Sequence, residues 1–441
     1  MNDNKDNVVL QSKNAKSNFG KWGWIFIIFH FTSFFLQTGM YADGQNIVAP
    51  LIAEATGSEY SSVLAVGTPC ALIAIVAYFF MGQLAKKVRV SRMFGCCLIL
   101  LGCSYILMCN AKTLFIYAVG LCCCTLFANG AASVSAGIIV SNWFPKKKDL
   151  VCGYSTAGCN LSSAAYIPML AFLVGAYGLS KGTLVFAIFA IVVGILALIL
   201  IKDKPEERGV YPDNVSKEVF EREYDVVREV KEEEHEWTVR KTLTSPTFWI
   251  AGLVVGLQMV GTTGIMTQLV VRNMEIGFTE TQAITMMSII AIVGIFGSWA
   301  WGILGQKTGT VRSIQIFLVW YAIALALNLI GMRWSVYISV FMLGVSTGAS
   351  ANFVIALPAS IWGTKEFKYV WPFFYILYSC INAWYGAING AAIRLIGSLK
   401  GAYMFFIILF IIDLFLTRFI KDGMYNPDYK KEQELLHETE K

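Results

Sequence analysis

Charge is scarce in this chain. Of its 441 residues 15% are Asp, Glu, Lys or Arg and 56% are hydrophobic, against about 25% and roughly 45–50% in a soluble domain. With a mean hydropathy of +0.60, the composition is that of a membrane protein. Histidine is almost absent: His30, His235 and His437 stand far apart, and no Cys/His spacing suits a metal site. No Gly-rich loop is followed by Lys and Ser or Thr, which excludes a Walker-type nucleotide motor. No nucleophile stands with a base, so an enzyme is not expected, and neither is a cofactor. Cysteine is the exception to this scarcity. Yet all eleven cysteines fall within apolar runs, where they read as small packing residues rather than a disulfide frame.

What the chain has is apolar length. A spanning helix needs ~20 mostly apolar residues, and twelve such runs can be read: 22–41, 61–82, 92–110, 113–142, 150–178, 182–201, 246–270, 281–304, 313–331, 334–357, 372–396 and 400–420. They define an all-α membrane protein with twelve transmembrane helices. The polar stretches divide it into an N-tail (1–21), a six-helix bundle (22–201), a linker (202–245), a second six-helix bundle (246–420) and a C-tail (421–441). Between the first two runs lies a weakly apolar outer segment, Asp43 to Tyr60.

Basic residues gather on one side. Of the 35 Lys and Arg, all except Lys112, Lys181, Arg272, Arg333, Arg394 and Lys400 lie in the tails, the linker, the turns after the second, fourth, eighth and tenth runs, or the run ends that adjoin them. The positive-inside rule then places both tails in the cytoplasm, with a bacterial inner membrane as the expected location. Topology accounts for these basic turns without a nucleic-acid partner. The first run has no convincing cleavage site after it and is expected to be retained as a helix.

The punctuation of the chain repeats. Gly82-Gln-Leu-Ala-Lys-Lys-Val-Arg-Val-Ser-Arg has its echo 220 residues later in Gly302-Ile-Leu-Gly-Gln-Lys-Thr-Gly-Thr-Val-Arg. Asn142-Trp-Phe-Pro-Lys returns after 219 residues as Ile361-Trp-Gly-Thr-Lys. Small residues also recur, with Gly344 and Gly348, then Gly386 and Gly390, each at a spacing that lets helix backbones approach closely. A membrane chain with two equivalent halves commonly faces them across a substrate path.

Twelve runs, a long middle linker and a basic turn after the second and eighth runs resemble the major facilitator superfamily. The two turns are similar to its signature loop, Gly-x-Leu-Ala-Asp-Arg-x-Gly-Arg-Arg, although Lys86 and Gln306 stand at the family's Asp and Arg89 at its Gly. The resemblance implies two pseudo-symmetric six-helix bundles acting as a monomer. It marks Gly82, Lys86, Lys87, Arg89, Gly302, Lys307, Gly309 and Arg312 as parts of the conformational change. Ser141-Asn-Trp-Phe-Pro-Lys-Lys-Lys-Asp-Leu, Lys204-Pro-Glu-Glu-Arg-Gly-Val-Tyr-Pro-Asp and Thr244-Ser-Pro-Thr-Phe-Trp further resemble the oxalate/formate antiporter and monocarboxylate porter group. Oxalate carriers of that group use basic residues on the eighth and eleventh helices. Here the eighth run has no charge and the eleventh only Arg394 near its outer end, which argues against oxalate itself.

Ionisable groups inside hydrocarbon are costly and mark function by default. His30 lies near mid-depth of the first run, on a helix that lines the cavity in the resembled fold. Arg394 and Arg272 lie near outer ends of the eleventh and seventh runs, and Asp413 is in the twelfth. Neutral candidates on the implied cavity-lining helices are Gln37, Tyr41, Asn129, Ser133, Asn160, Gln258, Thr262, Ser346, Asn352, Tyr378, Asn382 and Trp384. Each has a plain alternative, an interhelical hydrogen bond or an interfacial anchor. Together they describe a cavity with few fixed charges, suited to a monoanion or an amphipathic organic acid better than to a dianion. The expectation is a secondary carrier in the lipid bilayer for a small organic anion, foremost a monocarboxylate, by proton symport or anion exchange. Efflux of amphipathic solutes and a non-transporting sensor are the alternatives.

Overall fold

The computed structural model describes residues 19–85, 87–145, 147–217, 220 and 236–426. Lys86, most of both tails and the middle of the linker lie outside the described residues. Backbone in hydrocarbon must satisfy its N–H and C=O groups internally, and the described chain does so with helices and no strand. α1 is Gly20–Asp43, α2 Tyr60–Leu84, α3 Val90–Cys109 and α4 Leu114–Trp143. The long apolar stretch that follows turns at Gly178, where φ is +78°, a conformation open to glycine at little cost. There α5 (148–177) passes into α6 (179–200), and Gly182 backs directly onto Leu173 and Val174.

α7 is Pro246–Met266 continued by Leu269–Glu275, and α8 is Glu280–Thr308. α9 is Thr310–Ile330, and α10 runs Arg333–Gly363 to a second positive-φ glycine. α11 (364–396) breaks after Asn382 and resumes as Tyr385–Ile396, and α12 is Lys400–Phe419. The twelve expected helices are present with shifted ends. The eleventh begins at 364 rather than 372, because its first turns, Thr364-Lys-Glu-Phe-Lys, are too polar to count as apolar length.

The weakly apolar outer segment expected from Asp43 to Tyr60 is largely helical. α1 ends in a π-helical stretch, Thr38–Asp43, and a short helix, Gln45–Thr56, follows at once. Asp43, Gln45 and Asn46 are buried. Their polarity is absorbed by neighbouring helices: Tyr117 of α4 donates to Gln45 Oε1 at 2.7 Å, and Ser163 of α5 donates to Asp43 Oδ2.

The duplication is visible in detail on the face carrying the turns 82–92 and 302–312, called here the basic face. After α6, Asp203 Oδ1 accepts the Ser91 N–H at the start of α3 (2.6 Å). After α12, Asp422 accepts the Val311 N–H at the start of α9 (3.1 Å). Ile201-Lys-Asp and Ile420-Lys-Asp are thus equivalent straps, each closing a helix N-terminus with a carboxylate. The two turns differ locally. Gly309 ends α8 at φ +87°, whereas Arg89, at the matching position, is extended at φ −61°.

Asp422→Ala should destabilise the protein by about 1 kcal/mol, a typical capping loss, and Asp422→Asn should retain most of the cap; thermal unfolding in detergent is the check. Burial raises the Asp422 carboxyl above its ordinary range, against the hydrogen bonds from Ser360 and the α9 backbone. A raised pKa in the folded state favours folding at low pH and loses that contribution as pH rises through it. Wild type should therefore gain on Asp422→Asn as pH falls from neutral toward ~4.

Candidate functional site

Helices α1–α6 and α7–α12 meet along a seam. Among the described residues, four hydrogen bonds cross it. Asn46 Nδ2 donates to the Met266 carbonyl (2.9 Å), and Asn46 Oδ1 accepts the Val270 N–H (3.1 Å). Ser288 of α8 donates to the Ala164 carbonyl (3.0 Å), and Thr68 of α2 accepts the Ala387 N–H (2.8 Å). All four lie away from the basic turns, toward the opposite, far face. Each joins a side chain of one half to backbone freed by a helix irregularity in the other: the α7 break at 267–268, the α5 π-helical stretch Ser162–Tyr166, or the α11 break at 383–384. Gly386 and Gly390 press α11 onto α2, leaving no room for a side chain beside the Leu64 and Ser61 carbonyls.

Toward the basic face, no hydrogen bond is seen to join the halves among the described residues. Asn352 of α10, whose amide donates to Ser298 of α8 at 3.0 Å, and Thr156 of α5 are exposed well inside their helices. Polar groups exposed at that depth imply a water-filled vestibule rather than lipid.

At the top of this vestibule the halves bring together a polar, aromatic cluster. Gln37 of α1 donates to Asn129 Oδ1 of α4 at 2.8 Å, and Asn129 donates to the Thr125 carbonyl. Tyr41 shares a hydrogen bond with Asn129 and faces Tyr375 and Tyr385 of α11 and Cys159 of α5. Tyr378 packs edge-on against Tyr375 at 5.2 Å, and Trp371 lies 5.9 Å from Tyr375 toward the basic face. Tyr375, Tyr378, Asn382 and Tyr385 fall at i, i+3, i+7 and i+10, one face of α11. Asn382 Oδ1 is buried without a hydrogen-bond partner beside the break. Among the described residues, the groups facing Tyr41 and Tyr378 are hydroxyls, an amide and a thiol.

Of the residues expected from sequence, Gln37, Tyr41, Asn129, Tyr378 and Asn382 belong to this cluster. His30 does not. Its Nε2 lies 3.0 Å from the Ala132 carbonyl, within the π-helical stretch of α4, and Phe34 lies 4.9 Å away, so the ring is packed between α1 and α4. Gln258 reaches the Ser350 carbonyl and Thr262 bonds within its own turn, both inside the second half. Asn352 lines the vestibule. Arg394 is exposed at the far end of α11, and Arg272 is held by Asn328 and Glu275 at 3.1 Å each. Asp413 is buried in α12 with neither carboxylate oxygen partnered.

In the signature turns, Lys87, Lys307 and Arg312 are exposed, and Arg89 lies 3.8 Å from Glu207. A side chain at Gly82 or Gly302 would meet nothing within 4 Å. Tyr375, Tyr385 and Asp43 were not anticipated; the α11 periodicity carried the signal for the first two. A separate apolar groove between α9 and α12, lined by Leu318, Ile323, Phe410 and Leu414, faces outward, away from the seam.

Comparison with known proteins agrees with this architecture. Residues 23–378 match the Major Facilitator Superfamily, and the chain belongs to that family. It is 21% identical over 241 residues to the uncharacterized MFS-type transporter YhjX of Escherichia coli (strain K12). That match takes in 53% of this chain and spans about half (54%) of the relative's length. Two crystal structures of a bacterial homologue of the human lysosomal transporter Spinster, both inward-facing, one unoccupied and one occupied, share the fold at a TM-score of 0.64. They are 12% and 13% identical to this chain, covering 90% and 89% of it and 95% of their own chains.

Proposed function

We propose that this protein is a secondary carrier that moves a small organic monoanion, a monocarboxylate foremost, across a cell membrane by alternating access. The observation that carries this reading is the convergence of Tyr41 from the first half with Tyr375, Tyr378 and Tyr385 from the second, under a closed far face and above an open vestibule. Neutral donors of this kind can hold one carboxylate, and with only neutral groups facing Tyr41 and Tyr378 among the described residues a dianion is disfavoured. The two halves would rock about this cluster, the far-face hydrogen bonds breaking as the basic face closes. The distribution of Lys and Arg supports a cytoplasmic basic face.

A second reading, export of an amphipathic solute, draws on the aromatic wall of Phe367, Trp371, Tyr375 and Tyr378. Uptake of labelled mono- and dicarboxylates into proteoliposomes tests both, with an imposed pH gradient, with internal counter-substrate, or with neither. Monocarboxylate accumulation or exchange is expected. Movement of amphipathic solutes alone would favour export, and dicarboxylate transport at the same rate would overturn the monoanion assignment.

A further inference from the structure

A carboxylate lies at the seam rather than in the solute cluster. Asp43 is only 7% exposed and sits in the π-helical end of α1. Its sole side-chain partner among the described residues is the Ser163 hydroxyl, which donates to it from the π-helical stretch of α5, and no basic side chain lies within salt-bridge distance. The Asp43 carbonyl accepts from Asn46 Nδ2 at 2.9 Å, and that same amide holds the α7 break through Met266 and Val270. The residue after Ser163 is Ala164, whose carbonyl accepts from Ser288 of α8. Three of the four hydrogen bonds across the seam therefore start from Asp43 or Ser163 neighbours.

Resting on the carrier reading above, we propose that the Asp43–Ser163 pair is the proton-binding site that couples solute movement to a proton gradient, and that it acts on the far-face gate through Asn46 and Ala164. The carboxylate takes one proton from water on one face and releases it on the other, and no other bond is made or broken. An ionised carboxylate only accepts hydrogen bonds, while the neutral acid also donates, so the proton changes what the two π-helical stretches can bond. Closing the far face withdraws water from a carboxylate that has no counter-ion, and enclosing an unpaired charge is costly. Gate closure and proton occupancy consequently bias each other.

Other ionisable groups packed around the pair are engaged or neutral. Tyr117 of α4 is bonded to Gln45 and Tyr166 of α5 to Tyr105, Cys159 of α5 faces Asp43, and Glu54 on the short helix is exposed. Arg272 of α7 is held by Asn328 and Glu275, and α8 has no ionisable residue between Glu280 and Lys307. Hard metal cations usually need six or more oxygen ligands, and only one hydroxyl faces this carboxylate.

Asp43→Asn tests the assignment in the full-length chain. One proton per solute across ~1 pH unit supports about tenfold accumulation. Wild type should show this, whereas Asp43→Asn should only equilibrate solute yet still exchange it against internal solute. Accumulation by Asp43→Asn, or accumulation by wild type driven by Na⁺ in place of protons, overturns the proposal.

A second readout needs no solute. Hydrogen exchange of segment 266–270, corrected for intrinsic rates, should depend on pH in wild type and not in Asp43→Asn. A pH-independent wild type, or a variant that keeps the dependence, sinks the proposal even where no tested solute moves. If the asparagine variant fails to fold, Ser163→Ala carries the same test and should displace the pH dependence of gate exchange.

Discussion

Gly390→Val is expected to abolish net transport and leave the far face open. A β-carbon at 390 would lie 2.4 Å from the Ser61 carbonyl oxygen, and one at 386 would lie 2.4 Å from that of Leu64. Both obstacles are backbone, so no rotamer change relieves them and α2 must part from α11. Overpacking of this kind costs about 1–3 kcal/mol. If the two halves rock as proposed, this contact forms only with the far face closed, and the whole cost falls on one state of the cycle. Since ~1.4 kcal/mol is a tenfold shift in a two-state population, the balance should move by about tenfold to a hundredfold.

Exchange of the Ala387 amide, which Thr68 accepts across the seam, should quicken accordingly while solute uptake falls to background. Gly137→Ala on α4, where an added β-carbon meets nothing within 4 Å, should transport as wild type. Normal uptake by Gly390→Val would mean that the α2–α11 contact is not part of the cycle.

The architecture was legible because hydrocarbon imposes it. Apolar length gave the helices and the repeated turns gave the duplication, and Gly386 and Gly390, marked by spacing alone, lie where two backbones touch. Depth was legible as well, but direction around the helix was not. A helix apolar on every side has no polar stripe to orient it, so His30 read as a cavity residue although its ring is buried against α4. Helix irregularities were also hidden. Nothing in Thr38–Asp43 or Ser162–Tyr166 announces a π-helix, and Asp43 reads from sequence as part of the outer segment between spans because acids seldom lie within a span. Only α11 carried its orientation in sequence, through the spacing of Tyr375, Tyr378, Asn382 and Tyr385.

Asn129→Leu should weaken solute affinity by about tenfold to a hundredfold, through its neighbours rather than through a lost contact alone. Asn129 accepts from Gln37 at 2.8 Å, shares a hydrogen bond with Tyr41 and is itself held by the Thr125 carbonyl. Leucine removes this hub and leaves the Gln37 amide and the Tyr41 hydroxyl unpaired beside the solute cluster. A buried polar group left without a partner costs about 1–3 kcal/mol, whereas removing both partners of a pair is far milder. The double variant Gln37→Leu/Asn129→Leu should therefore recover part of the thermal stability lost in Asn129→Leu, while Tyr41 remains misplaced and affinity stays low. Half-saturation of uptake and unfolding temperature, measured on both singles and the double, separate these effects. Strict additivity in stability would show that the Gln37–Asn129 pair is not coupled, and unchanged affinity in Asn129→Leu would remove Asn129 from the site.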